Sequence, residues 1–422
     1  MTKDSLTSSS SLMVSVQRTY EASLILGTTK GIERSRAVRA IADALDDATD
    51  DILEANTLDL EASREMAVPD LILEWLKLTP ERLNNTVETL YRLSELSDPL
   101  RRVMNASYQL DHSQTYCQLM PLGVIALIYE TLPELAAIAA GLCMKTGNSL
   151  LLRGGTEASQ SNQAIAQAIC GALEKVGFPS GSVELIPADS GATIRDLVKQ
   201  DDYINLVIPY GRPSLVQQVV RQSTAPVLRS AMGNCYLYWS PTGSLDLTRS
   251  IIMDSHQSEP DPVNAIEKVL IHSNQKLSSL TILWNTLQES GFEIRVDEEL
   301  HQEFPGLTVV QEEEWHQSYL SKTVAFKRVN NMEAAIRWIN KYSSGHADCL
   351  VTESYLESSQ FSAGINSASV YINSSPRFYR YNKQQGDAIF LGMSNQKGLR
   401  RGLISLETLT TLKHIVQGTG QV

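Results

Sequence analysis

Apolar residues recur at three- and four-residue steps from residue 13 to about residue 63, with Val38, Ile41, Ala42 and Leu45, then Ile52, Leu53 and Leu58, on the repeating face. Side chains three and four apart share one side of a helix, so this spacing predicts helices with a single buried stripe and a charged outer face. Residues 71–96 read as a second helical block. Within Leu78-Thr-Pro-Glu81, Thr79 is placed to cap, Pro80 to take the first helical position and Glu81 to follow it. The serines at 5–11 predict a frayed start.

From Tyr116 the pattern changes. Leu122-Gly-Val-Ile-Ala-Leu-Ile-Tyr129 is almost wholly apolar and is bounded by Pro121 and Pro133, which suits a strand buried on both faces of a parallel sheet. Residues 136–144 then predict a helix, 149–152 a strand, 157–176 a helix, 183–186 a strand, 193–199 a helix and 203–208 a strand. Alternation at this spacing predicts an α/β domain with a doubly wound, Rossmann-like sheet. Pro241-Thr-Gly-Ser244 reads as a boundary. Beyond it, residues 247–253, 265–272, 277–289, 292–296, 332–342 and 348–352 repeat the alternation, so a second α/β domain is expected.

The 422 residues allow two or three domains of ordinary size. With 36 basic against 48 acidic residues and a net charge of −12, neither a nucleic acid nor an anionic membrane is an expected partner. No run approaches the ~20 apolar residues of a spanning helix, and the first ten residues lack the apolar core of a secretion signal, so the cytoplasm is the expected compartment. Five cysteines, widely spread and without a C-x-x-C pair, suggest neither a disulfide framework nor a metal site. The count leaves a catalytic thiol open.

Pro121-Leu-Gly-Val-Ile-Ala-Leu-Ile-Tyr-Glu130, Leu142-Cys-Met-Lys-Thr-Gly-Asn148 and Leu152-Arg-Gly-Gly-Thr-Glu157 resemble the γ-glutamyl phosphate reductases (glutamate-5-semialdehyde dehydrogenases) of the aldehyde dehydrogenase superfamily. The resemblance continues through Asp202-Tyr-Ile-Asn-Leu-Val-Ile-Pro209, Gly233-Asn-Cys-Tyr236, Asn264-Ala-Ile-Glu267, Val370-Tyr-Ile-Asn373 and Leu406-Glu-Thr-Leu-Thr-Thr411, and so spans nearly the whole chain in order. It implies an α/β, aldehyde dehydrogenase-like fold in three parts. These are a Rossmann-like nucleotide-binding domain over 1–104 and 121–242, an α/β catalytic-type domain over 243–373, and a small β oligomerisation extension over 105–120 and 374–422, which implies a homo-oligomer. It also implies the family reaction. A cysteine thiolate attacks the acyl phosphate of L-glutamyl 5-phosphate, phosphate leaves, and NADPH reduces the thioester to glutamate 5-semialdehyde for proline synthesis. Lys145, Arg153, Gly154 and Gly155 occupy the stretch that meets the ribose and phosphates of NADP in this superfamily, and Gly211 belongs to a second glycine-bearing turn. Thr156 stands where the family has Lys.

The departures are as informative as the matches. The family's Arg-Pro-x-x-Cys-Asn reads Glu259-Pro-Asp-Pro-Val-Asn264, so Val263 takes the nucleophile's position while Asn264 is retained. An isopropyl group cannot form a thioester. Tyr-Glu-x-Arg-Pro-Asn reads Tyr129-Glu-Thr-Leu-Pro-Glu134, which puts a carboxylate at Glu134 where the family's oxyanion-binding amide would stand, a change on the order of 3 kcal/mol or more. Ile-Pro-Arg-Gly-Gly reads Ile208-Pro-Tyr-Gly-Arg212, a later Gly-Gly reads Ser230-Ala231, and Phe390 aligns with a family Glu. The resemblance places these positions in one cleft. Two readings result: an NADPH-dependent reductase, or an inactive paralogue acting as partner or regulator of an active reductase or of glutamate 5-kinase. Cys143, Cys170, Cys235 and Cys349 read as core residues, the last despite His346 three positions before it. Arg212, Arg221 and Arg229 read as solvated.

Overall fold

The structure, a computed structural model, describes residues 3–106, 108–109, 113–257, 260–381, 388–395, 397–398, 400–418 and 420. Two compact units divide the chain: residues 1–228 with 380–391 and 404–422, and residues 229–379 with 392–403.

The first unit opens with helices Lys3–Leu26, Gly31–Asp47, Thr49–Glu65, Asp70–Leu76 and Pro80–Glu95. The serines expected to fray fall within the first of these. Thr79 caps as its sequence context requires, its hydroxyl accepting the Arg82 N–H at 3.1 Å. The apolar stripe of Gly31–Asp47, with Val38, Ile41, Ala42 and Leu45 fully buried, faces the small residues of the Glu134–Thr146 helix. Gly141 permits the close approach of the Pro80–Glu95 helix to the same helix, since a β-carbon there would lie 2.4 Å from a Leu90 methyl.

A four-stranded parallel sheet follows, in spatial order Val183–Leu185, Ser149–Arg153, Val124–Tyr129, Leu206–Tyr210. In chain sequence this is 3-2-1-4, the doubly wound order expected from the alternation, with its switch point between Val124–Tyr129 and Leu206–Tyr210. Val124–Tyr129 is buried at every position, as an apolar run without alternation requires. A separate antiparallel sheet joins Val103–Asn105, Ser113–Pro121 and Thr410–Gly418.

The second unit is built on a seven-stranded parallel sheet ordered Thr308–Val309, Glu293–Val296, Thr323–Val329, Ile266–His272, Cys235–Trp239, Ala347–Val351, Ser369–Ile372. Its two faces carry separate apolar clusters, one around Trp239, Trp284 and Phe326 and the other around Tyr236, Trp315 and Phe361. The expected boundary at 242 is corrected by this sheet. Cys235–Trp239 pairs with Ile266–His272 on one side and Ala347–Val351 on the other, so the division falls at Leu228/Arg229. Among the described residues no helix is long and apolar enough to cross a membrane.

Candidate nucleotide pocket and the buried segment at Val263

In an open parallel sheet, ligands settle outside the carboxyl ends of the strands at the switch point, where neighbouring connections diverge. The first unit has a pocket of about 230 Å³ at that place, lined by Tyr129 and Glu130 at the end of the Val124–Tyr129 strand, Arg212 beyond its neighbour on one side, and Arg153 to Glu157 at the end of its neighbour on the other. Ile72, Ile128, Ile194 and Leu215 supply apolar wall. Its volume suits a nucleoside and lies just under the roughly 300–1,000 Å³ of pockets that enclose whole cofactors.

Glu130 organises the rim. Its carboxylate accepts the Arg212 backbone N–H at 2.8 Å and the Arg212 Nε–H at 3.0 and 3.2 Å. Gly211 makes this possible: its φ is +148°, and a β-carbon there would lie 2.7 Å from Glu130 Oε2. Gly154 serves the opposite wall. A β-carbon on it would strike Asn162, whose Oδ1 accepts the Tyr129 hydroxyl at 2.9 Å. Arg153 lies between, donating from Nη2 to the carbonyls of Ala188 (3.1 Å) and Ala192 (3.3 Å), while its buried Nη1 has no partner among the described residues.

Lys145 does not join them, and its assignment is corrected. Its side chain is buried, and its ammonium donates to Ser35 Oγ at 2.7 Å, to the Ser94 carbonyl at 3.0 Å and to the Leu96 carbonyl. All three donors are spent tying the Glu134–Thr146 helix to the N-terminal helices, and desolvation lowers the group's pKa to about 8. Glu134 also departs from expectation. It is buried in the first turn of its helix and ion-paired with Arg82, whose guanidinium additionally donates to the carbonyls of Glu74, Trp75 and Lys77. The carboxylate is therefore neutralised on one side, with Oε2 left unpartnered among the described residues.

In the second unit, Val263 and Asn264 precede the Ile266–His272 strand and are buried at 0% and 1% exposure. Asn264 Nδ2 donates to the Pro376 carbonyl at 2.7 Å. The Val263 carbonyl accepts the Gly233 N–H at 2.9 Å and His346 Nε2–H at 2.7 Å. Because a carbonyl can only accept, His346 carries its proton on Nε2, and Nδ1 accepts the Ser344 hydroxyl at 2.9 Å. Cys235 Sγ lies 3.3 Å from the same Nε2, so the cysteine that meets His346 is Cys235 rather than Cys349. Burial pushes the Cys235, Cys349 and Cys143 thiols up. Cys170, expected in the core, is on an exposed face with its thiol donating to the Val183 carbonyl at 3.3 Å. Glu259 lies outside the described residues. Phe390 is half-buried in the first unit, its N–H donating to the Arg380 carbonyl at 2.9 Å.

Burial holds both His346 and His256 down at about 4, against an ordinary 6.5. Each binds its proton more weakly folded than unfolded, so their contribution to stability is complete above pH 6.5 and is lost as pH falls toward 4. Asp348 acts with the opposite sign. Burial raises it from 3.8 to about 6, over the opposing hydrogen bonds from Ser367, the Tyr236 N–H and Ser343, so its contribution is lost as pH rises through 6. Melting temperature is expected to fall between pH 6.5 and 4, and more steeply in Asp348→Asn, where the opposing group is gone. Parallel curves for the two proteins would remove Asp348 from this account.

Arg153, Gly154, Gly155 and Gly211 were legible in sequence as parts of glycine-bearing turns. Glu130, Arg82 and Arg212 were missed as a set, because each acts through a partner remote in sequence. The position of Glu130 directly after an apolar strand was the one available signal.

Residues 8–233 match the model of the aldehyde dehydrogenase family. The chain is 55% identical over 398 residues to a Synechocystis protein named gamma-glutamyl phosphate reductase 2, covering 94% of each. It is 36% identical to the gamma-glutamyl phosphate reductase of Gloeobacter violaceus, over 97% of this chain and 98% of that one. The crystal structure of gamma-glutamyl phosphate reductase from Thermotoga maritima superposes with a TM-score of 0.89 at 32% identity, covering 97% of this chain and 99% of that chain.

Proposed function

Since this chain belongs to the γ-glutamyl phosphate reductase family, we propose that it keeps that family's scaffold and nucleotide pocket but does not turn over L-glutamyl 5-phosphate through an acyl-enzyme. The observation that carries this reading is Val263, a buried hydrocarbon at the nucleophile's position with no replacement thiol beside it. Cys235 is the nearest candidate by contact with the same histidine. It is fully buried, its thiol is pushed well up, and His346 offers it no free lone pair, since Nε2 bears a proton and Nδ1 takes the Ser344 hydroxyl.

The pocket is of a size and chemistry to take the adenosine end of a nicotinamide dinucleotide. Glycine backbone at 154 and 155 would let a ribose approach closely, the apolar walls suit a base, and Arg153 would supply positive charge for the phosphates. In the family reaction, which uses NADPH, the bound dinucleotide supplies hydride. The residues of this chain supply position only: Glu130 and Arg212 hold the rim, and Tyr129 with Asn162 holds the wall.

Such a protein acts in the cytoplasm as partner or regulator of an active reductase or of glutamate 5-kinase, and pairs with its own copies through the sheet that contains Thr410–Gly418. The second reading, a working reductase, is favoured by similarity along the whole chain. The deciding assay follows NADPH absorbance with glutamate 5-semialdehyde, phosphate and NADP. No turnover is expected, and a rate within a hundredfold of the ~10 per second of ordinary enzymes would overturn the proposal.

A further inference from the structure

We propose that the pocket takes an adenosine mononucleotide, a single nucleoside with its 5′-phosphate chain, and that Arg212 both binds that chain and closes the site to the nicotinamide half of a dinucleotide. This rests on reading the pocket as an adenosine site, and it departs from the family's ligand because of one residue. Glu130 belongs to the stretch shared with the family, whereas Arg212 stands where the resemblance places a glycine.

Glu130 follows the Val124–Tyr129 strand and Arg212 follows Leu206–Tyr210, the two strands that flank the switch point, so their ion pair lies across the crevice between them. A dinucleotide seated at such a strand end has to run its pyrophosphate through this crevice to reach its second nucleoside. Here the crossing is held by three hydrogen bonds from one residue, at 2.8, 3.0 and 3.2 Å. With glycine at 212 the backbone bond alone would remain, and no side chain would span the gap. The space left, about 230 Å³, holds one nucleoside and falls short of a whole dinucleotide.

The same residue supplies what a 5′-phosphate requires. Its Nε is spent on Glu130, while Nη1 and Nη2 have no partner among the described residues. The side chain is 43% exposed, so the outer edge of the guanidinium is open to an anion, and its planar fork matches phosphate oxygens. Arg153, also on the lining, keeps its Nη1 unpartnered. Arg212 directly precedes the Pro213–Gln222 helix, whose first-turn N–H groups lack intrahelical partners and favour negative charge. The other carboxylate of the lining, Glu157, lies on the glycine wall and accepts the Thr156 hydroxyl at 3.1 Å, which leaves the Arg212 side to the phosphate chain.

Calorimetry on the full chain with ADP, adenosine, NADH and NADPH tests this. It is repeated on Arg212→Gln, which removes the charge but keeps a side chain, and on Arg212→Gly, which removes both. Wild type is expected to bind ADP about tenfold or more tightly than adenosine and than either dinucleotide. Arg212→Gln should lose the preference for ADP over adenosine without gaining the dinucleotides, and Arg212→Gly should gain about tenfold for a dinucleotide. Melting temperature shows whether each variant is folded, and the wild-type ranking stands independently of both. A dinucleotide bound as tightly as ADP by wild type, ADP bound no tighter than adenosine, or a folded Arg212→Gly that gains nothing would overturn the proposal while leaving the adenosine pocket intact. Binding of none of the four would overturn that reading and this proposal with it.

Discussion

Val263→Cys is expected to leave the chain without measurable NADPH formation in the semialdehyde assay, although it restores the sulfur that the family chemistry requires. A thiol becomes a nucleophile only as thiolate, and a site must stabilise that anion. Position 263 is fully buried, so desolvation opposes the charge, as it does for Cys235 nearby in the same unit. The adjacent imidazole cannot compensate. His346 is held neutral, down at about 4, with its one N–H donated to the carbonyl of residue 263 itself. In sequence, Glu259 stands four positions earlier, where the resemblance implies an arginine. Alkylation of the introduced thiol by iodoacetamide, read by mass spectrometry on the Val263→Cys variant, should accordingly be slow. A rate restored to within a hundredfold of ~10 per second would show that the missing sulfur alone silences the chain, and that the buried setting carries no weight.

The second large effect is on folding. Arg82→Met should destabilise the first unit by about 3–5 kcal/mol, because it leaves the Glu134 carboxylate buried with no counter-charge. Both partners are mostly buried, with side-chain exposures of 16% for Arg82 and 5% for Glu134, so solvent screens the pair little. Arg82 also satisfies the carbonyls of Glu74, Trp75 and Lys77, which close the loop between two N-terminal helices. Adding Glu134→Gln to Arg82→Met should recover much of the loss, since a neutral amide is far cheaper to bury than an unpaired carboxylate. Urea unfolding of the two single variants and the double variant measures the coupling. Additive losses would show that the pair is not the source of the effect.

This pair changes the meaning of the Glu134 substitution. From sequence, a carboxylate at the position of an oxyanion-binding amide reads as a bare negative charge. In the fold it is one half of a buried ion pair whose other half, Arg82, lies 52 residues earlier. Lys145 shows the converse. The resemblance sets Lys145 against the ribose and phosphates of the dinucleotide, but its ammonium is enclosed by carbonyls of another helix's end. In both cases residue type and local motif were legible, while the partner that decides the role comes from a distant segment.

The fold was far more legible than the site. Helical periodicity, the Thr79-Pro80 cap and the apolar run ending at Tyr129 are local properties of the chain. They determined the helical N-terminal region, the parallel sheet and the alternation of both units, because hydrophobic period and capping chemistry act over a few residues. Position-by-position resemblance pointed to the family and set Val263 against its nucleophile's position. Tertiary structure decided the rest. It assigned Cys235–Trp239 to the second sheet, joined Glu130 to Arg212 across 82 residues, and withdrew Lys145 from the pocket. Charges and hydrogen bonds act through space, over a few ångströms, between groups that the chain order keeps far apart, so their balance exists only once the sheet has brought its strand ends together.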